Sequence, residues 1–189
     1  MTTDTAPYPG TPPTPAADAA PAPRTPRIIT GRAPARPTAA AAFHSVSAAT
    51  TVLLGLVGIG AMLHEPVLIP PLAASAALVH SAPTLPLAQP RGVLLGHLLG
   101  AAVGYGVLAA AGGSAWAAAV AAGITLALLI IARTPHSPAC ATAVVVVLQS
   151  PDAARFVPLL FGSTVLLVLT GYAGSRIRRK APRYPSYWW

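Results

Sequence analysis

Between residues 38 and 175 the chain carries only five charged side chains: Glu65, Arg91, Arg133, Asp152 and Arg155. Water-soluble domains carry about 25% charged residues, whereas here the figure for the whole chain is 8%, against 54% hydrophobic. Such a sequence cannot cover a globule with polar groups. Long uncharged runs instead fit hydrocarbon, where an α-helix satisfies every backbone donor and acceptor within itself. The class this predicts is an all-α, polytopic membrane protein with the lipid bilayer as its main partner.

Four runs are long. His44 to Leu63, Val93 to Ala111, Trp116 to Ala132 and Phe156 to Gly174 are each read as a span of a core roughly 30 Å thick. Two others, Pro66 to His80 and Ser137 to Leu148, are short and broken by prolines at their starts. The expectation is four long spans plus two short Pro-broken helices. Residues 1 to 37 form a Pro/Ala/Thr-rich tail expected to be disordered. The membrane domain is taken as 38–175, and residues 176–189 as a basic and aromatic tail.

The net charge of +8 belongs to the ends. Lys and Arg flank spans on the cytoplasmic side, so both termini are read as cytoplasmic, in a bacterial inner membrane, and nucleic acid is not expected as a partner. With four crossings, Arg91, Arg133 and Arg155 would all lie outside. With six, only Arg155 dissents. The single cysteine, Cys140, excludes an intrachain disulfide.

The two halves resemble each other at an offset of 67 residues. Pro71 aligns with Pro138, Ser75 with Thr142, and Gly104-Tyr105 with Gly171-Tyr172. This is either an inverted repeat with short broken helices in matching places or chance likeness in Ala/Gly/Pro-rich sequence.

Gly96, Gly100 and Gly104 form a bare helical stripe for close helix packing. His97 borders it, read either as a structural histidine bonded to a carbonyl or as a pore-lining donor. The most unusual stretch is Arg133-Thr134-Pro135-His136-Ser137-Pro138-Ala139-Cys140-Ala141-Thr142-Ala143. Ser137-Pro138 reads as a helix start with serine as N-cap. Its N–H groups, with His136 and Arg133, would suit a small anion; Arg133 otherwise only snorkels and marks topology. The candidate substrate-binding set is Arg133, His136, Ser137, Pro138, Thr142, Ser75 and His97. No paired carboxylates, nucleophile elbow, phosphate loop or Cys/His cluster is present, so neither enzyme activity nor a cofactor or metal is expected.

Residues 44 to 175 resemble the HPP family of bacterial and plastid membrane proteins. Ala73-Ala74-Ser75-Ala76 is similar to the family's Gly-Ala-Ser-Ala. Pro86 to Arg91, followed by Gly96-His97-Leu98, matches in order and spacing. The stretch from Arg133 to Ala143 resembles the family's His-Pro-Pro-Ala-Gly-Ala-Thr-Ala, with Ser137 in place of a proline and Cys140 in place of a glycine. The family is usually described with four transmembrane helices. Some members append a nucleotide-binding domain, for which this chain is too short. The resemblance implies a transporter-like protein, with nitrite the substrate proposed for plastid members. The alternative from another class is a non-transporting membrane scaffold or assembly factor. A homo-oligomer is left open.

Overall fold

A computed structural model describes residues 35–177 and 182–188. The chain separates into residues 1–36 and a compact unit from Pro37 onward, and the account below concerns the latter. The expected disordered tail, apart from its last residues, and the basic residues Arg178, Arg179 and Lys180 lie outside the described residues.

The described residues form six α-helices: α1 (Ala39–Leu63), α2 (Pro70–Ser81), α3 (Pro90–Ala111), α4 (Ala115–Ile131), α5 (Pro138–Gln149) and α6 (Ala153–Ile177). A single 3-10 turn, Pro86–Ala88, precedes α3. Local chemistry sets the ends. Thr38 Oγ1 accepts from the Ala41 amide and Ser114 Oγ from the Ala117 amide, capping α1 and α4. Asp152 accepts from the Arg155 amide at the start of α6. Proline opens α2, α3 and α5, where its missing N–H costs nothing. His64, Arg133 and Ser150 adopt left-handed backbone just past α1, α4 and α5, which stops each helix.

Among the described residues three helices are long and apolar enough to cross a bilayer: α1, α3 and α6, with mean hydropathies of 2.0, 1.8 and 1.8. The expected fourth long span is corrected. α4 lies within one residue of the expected run at each end but has only 17 residues, a rise of about 25 Å at 1.5 Å per residue, short of a core roughly 30 Å thick. α2 and α5, with 12 residues each, are short, as the prolines predicted.

The helices run alternately up and down. Loop 82–89, the α4–α5 loop and residues 182–188 gather at one end, linked by Arg91 to the Ala132 carbonyl (2.9 Å) and by Tyr184 to the Ala88 carbonyl (2.9 Å). Arg91, Arg133, Arg176 and Arg183 belong to that end. Glu65, Asp152 and Arg155 sit at the other. Arg155, the arginine that broke the charge rule, is paired there with Glu65 at 2.7 Å.

The offset of 67 residues also relates contacts. Ser75 donates to the Pro71 carbonyl at 2.9 Å, and the hydroxyl of its counterpart Thr142 lies 3.5 Å from the carbonyl of Pro138. Gly104 lies against Val146, and its counterpart Gly171 against Val79. Helix neighbours follow suit: α1 packs on α2 as α4 packs on α5, and α3 on α4 as α6 on α1. The fit is unequal, since α3, α4 and α5 are in closer contact than α6, α1 and α2.

The tightest seam is α3 on α5. A methyl group added at Gly100 would collide with the Ala139 carbonyl, and one at Gly104 would stand 2.8 Å from Val146 Cβ. The glycine stripe therefore serves helix packing as expected, and Gly92 extends it by one turn toward Pro135. Gly100→Ala should lower stability by about 2 kcal/mol, read from thermal unfolding in detergent. Gly106→Ala, which meets open space, should stay within about 0.5 kcal/mol of the parent.

Candidate functional site

Four buried polar side chains meet inside the bundle: Ser75 from α2, His97 from α3, His136 from the α4–α5 loop and Thr142 from α5, none more than 1% exposed. Their assembly follows from the seam. With no side chain at Gly96, His136 Cβ comes to within 3.0 Å of where a Cβ would stand, and the His136 and His97 rings meet edge to face at 4.8 Å between centroids.

The hydrogen bonds form one connected set. His97 Nδ1 lies 2.7 Å from Thr142 Oγ1, and His97 Nε2 lies 2.8 Å from Ser75 Oγ and 3.2 Å from His136 Nε2. Ser75 Oγ is 2.9 Å from His136 Nε2. His136 Nδ1 is 2.7 Å from the Leu87 carbonyl. That carbonyl can only accept, so His136 donates from Nδ1 and, as a neutral ring, leaves Nε2 bare. A bare His97 Nε2 would then face it lone pair to lone pair. His97 therefore carries its proton on Nε2 and donates into the pair formed by His136 Nε2 and Ser75 Oγ, while Thr142 donates to His97 Nδ1. Two neutral imidazoles thus satisfy each other and both hydroxyls. Buried polar groups left unpaired would each cost about 1–3 kcal/mol.

One imidazole, that of His97, bridges the equivalent hydroxyls of the two short helices. The reading of His97 as bonded to a carbonyl is corrected: its partners are side chains. Four of the candidate residues, Ser75, His97, His136 and Thr142, come together. Pro138 is buried at the start of α5, below Thr142. Arg133 and Ser137 do not join them, as both are exposed.

The expected capping role of Ser137 is likewise corrected. Its backbone is already helical (φ −56°, ψ −31°), whereas a capping side chain needs extended backbone to turn back on the helix. The first amides of α5 are also engaged, Ala139 to the His136 carbonyl and Cys140 to that of Ser137.

Several residues at the site carried no sequence signal as strong as the motif. Thr134, 2% exposed, has a buried hydroxyl without a partner. Gln89 is buried, with its amide nitrogen donating to the Pro83 and Leu85 carbonyls and its oxygen accepting from the Ser186 and Tyr187 amides. Tyr184 donates to Ala88 O and seats its ring on Gly171. Burial raises the Tyr184 phenol well above its ordinary pKa, keeping it a donor. These contacts fix the loop that presents Leu87 to His136. Among the described residues no group of three metal-ligating side chains occurs.

Apolar helices long enough to span, a polar centre between two short helices and a basic end define a polytopic helical membrane protein. A family model described as the HPP transmembrane region matches residues 34–185, and the chain belongs to that family. It is similar to two transmembrane proteins of Dictyostelium discoideum. One is 36% identical over 132 residues, covering 65% of this chain and 46% of the relative. The other is 36% identical over 126 residues, covering 62% and 40%. The chain thus spans less than half the length of these relatives. No solved structure matches it.

Ser75→Ala should cost about 1–3 kcal/mol in thermal unfolding, because it removes a hydroxyl that both histidines share. A cycle combining it with His97→Phe should return a coupling of at least about 0.5 kcal/mol. Gln89→Leu should speed hydrogen exchange at the Ser186 and Tyr187 amides while leaving exchange in α3 unchanged.

Proposed function

We propose that this protein passes a small inorganic anion across a bacterial inner membrane, without enzymatic chemistry. Nitrite is the substrate suggested by the family resemblance. The observation that carries the reading is the polar centre: two imidazoles and two hydroxyls held at the crossing of two short helices within an apolar bundle. Polar groups at such depth are expensive and mark solute paths in membrane proteins. The donor there is His97 Nε2–H; the Ser75 and Thr142 hydroxyls, now donating to the Pro71 carbonyl and to His97 Nδ1, would have to turn to donate as well, and Thr134 adds a buried hydroxyl two residues before His136. An anion can accept from these. A cation would need carboxylates, and the described ones, Glu65 and Asp152, lie at the far end. Arg133 and Ser137, exposed at the basic end, would meet the ion before His136 does. The basic end faces the cytoplasm in this reading, and the two three-helix units form an inverted repeat.

In the described conformation the centre is closed, so passage requires α2 and α5 to part and His97 to exchange His136 for the ion. That closed, fully bonded packing is also the observation that favours a second reading, a non-transporting scaffold or assembly protein whose polar centre only fixes the fold.

Reconstituted vesicles should take up labelled nitrite above protein-free controls, and His136→Ala or Arg133→Ala should reduce the rate at least about tenfold, a barrier change of about 1.4 kcal/mol. Uptake equal to the controls would refute transport, and uptake unaffected by both variants would refute the roles given to His136 and Arg133. Single cysteines placed over residues 68–80 and 135–148 should react with a water-soluble thiol reagent along one face of each helix. A scaffold would leave both helices unreactive.

A further inference from the structure

The polar centre offers an incoming anion no fixed positive charge. Among the described residues no lysine or arginine is buried. Arg91 is held on the Ala132 carbonyl and Arg133 is exposed, both at the basic end, while Arg155 is paired with Glu65 at the other. An ion held inside by neutral donors alone would keep its whole charge in an apolar bundle, which is costly. The compensating charge has one source there, a proton on an imidazole.

Geometry says which nitrogen takes it. His136 Nδ1 is committed to the Leu87 carbonyl at 2.7 Å. Two lone pairs remain in the pair of rings. That of His97 Nδ1 accepts from Thr142 at 2.7 Å, and that of His136 Nε2 accepts from His97 at 3.2 Å, the longer and weaker bond. A proton on His136 Nε2 breaks that bond, because N–H then faces N–H. Both N–H groups converge instead on Ser75 Oγ, which lies 2.9 Å from His136 Nε2 and 2.8 Å from His97 Nε2. Ser75 belongs to α2. When α2 parts from α5, its oxygen leaves a position within hydrogen-bond reach of two donors, one of them on a cation. The oxygen of a small oxyanion suits that position by distance and by charge.

We propose that the centre takes up one proton, on His136 Nε2, together with one monovalent oxyanion bridging His136 and His97, and passes the two as a pair. This rests on the reading of the protein as an anion passage. The proton comes from water on the side of entry, stays on His136 while the anion is bound, and returns to water on the other side. Each cycle then moves one proton and one anion, and no net charge. A proton alone would leave an unpaired buried cation, and an anion alone would meet the lone pair of His136, so each favours the other's binding by the same factor. His97 meets His136 ring to ring. The other titratable groups on the surrounding elements are set elsewhere: Tyr105 on the Pro151 carbonyl, His80 beside Thr170, Tyr184 on the Ala88 carbonyl, and Cys140 half-buried in the first turn of α5.

The test compares two driving forces on the intact protein in vesicles that enclose a pH-sensitive dye, with labelled nitrite outside and protein-free vesicles subtracted. An acid-outside pH gradient should drive nitrite inward, with about one proton arriving per nitrite. An inside-positive potential imposed at equal pH should leave uptake unchanged, since the pair carries no charge. His136→Gln keeps an N–H for the Leu87 carbonyl but takes no proton, and should lower gradient-driven uptake at least about tenfold. Uptake that follows the potential and ignores the pH gradient overturns the coupling and leaves anion passage standing. Gradient-driven uptake that survives in His136→Gln also overturns it, because nitrous acid would then be crossing on its own proton. No uptake under either force refutes the passage, and the coupling with it. A melting temperature reports whether His136→Gln folds; if it does not, the response of the parent protein to the two forces decides.

Discussion

The contact between the glycine face of α3 and the backbone of α5 is the constraint on which the rest depends. Gly92, Gly96, Gly100 and Gly104 place no atoms between the helices, so Pro135, His136, Ala139 and Val146 settle directly onto α3. In hydrocarbon no water is expelled when helices meet, and association relies on such close van der Waals contact. The same approach brings His136 onto His97. Packing and polar chemistry are therefore one arrangement: a side chain large enough to separate the helices would also part the imidazoles.

The polar centre has its own logic. Four side chains from three helices and a loop form a set in which each ring nitrogen has a partner and the two hydroxyls answer the two rings. The outermost link is a main-chain carbonyl, that of Leu87, and it dictates which nitrogen of His136 bears hydrogen. The choice passes to His97 and on to Thr142. A loop at the basic end thus sets proton positions inside the bundle.

Much of this was legible in the chain. Uncharged runs and prolines marked the helices to within a few residues, because hydrocarbon leaves little freedom in how backbone is satisfied. The fourth span was placed to within one residue at each end, and the error lay in reading its 17 residues as long. The glycine stripe spoke for itself. Ser75, His97, His136 and Thr142 were each suspected, but their meeting was not visible: it depends on how α2 and α3 cross α5, which spacing within one helix does not encode. Ser137 misled because the serine-proline signal reports composition, whereas capping depends on a backbone angle. Gln89 and Tyr184 act through partners about a hundred positions away (96 separate Tyr184 from Ala88), beyond the reach of any local pattern.

That separation bears on how the protein matures. The loop 82–89 leaves the ribosome early, yet the groups that hold Ala88 and Gln89 belong to residues 184–187. Until those are made, the Leu87 carbonyl is not held in place and His136 lacks a settled partner. The bundle can enter the membrane helix by helix, but its centre acquires its final proton arrangement only when this distant segment docks. Synthesis order and site assembly are thereby uncoupled: Ser75, His97, His136 and Thr142 are all made before residues 184–187, on which the loop that orients His136 depends.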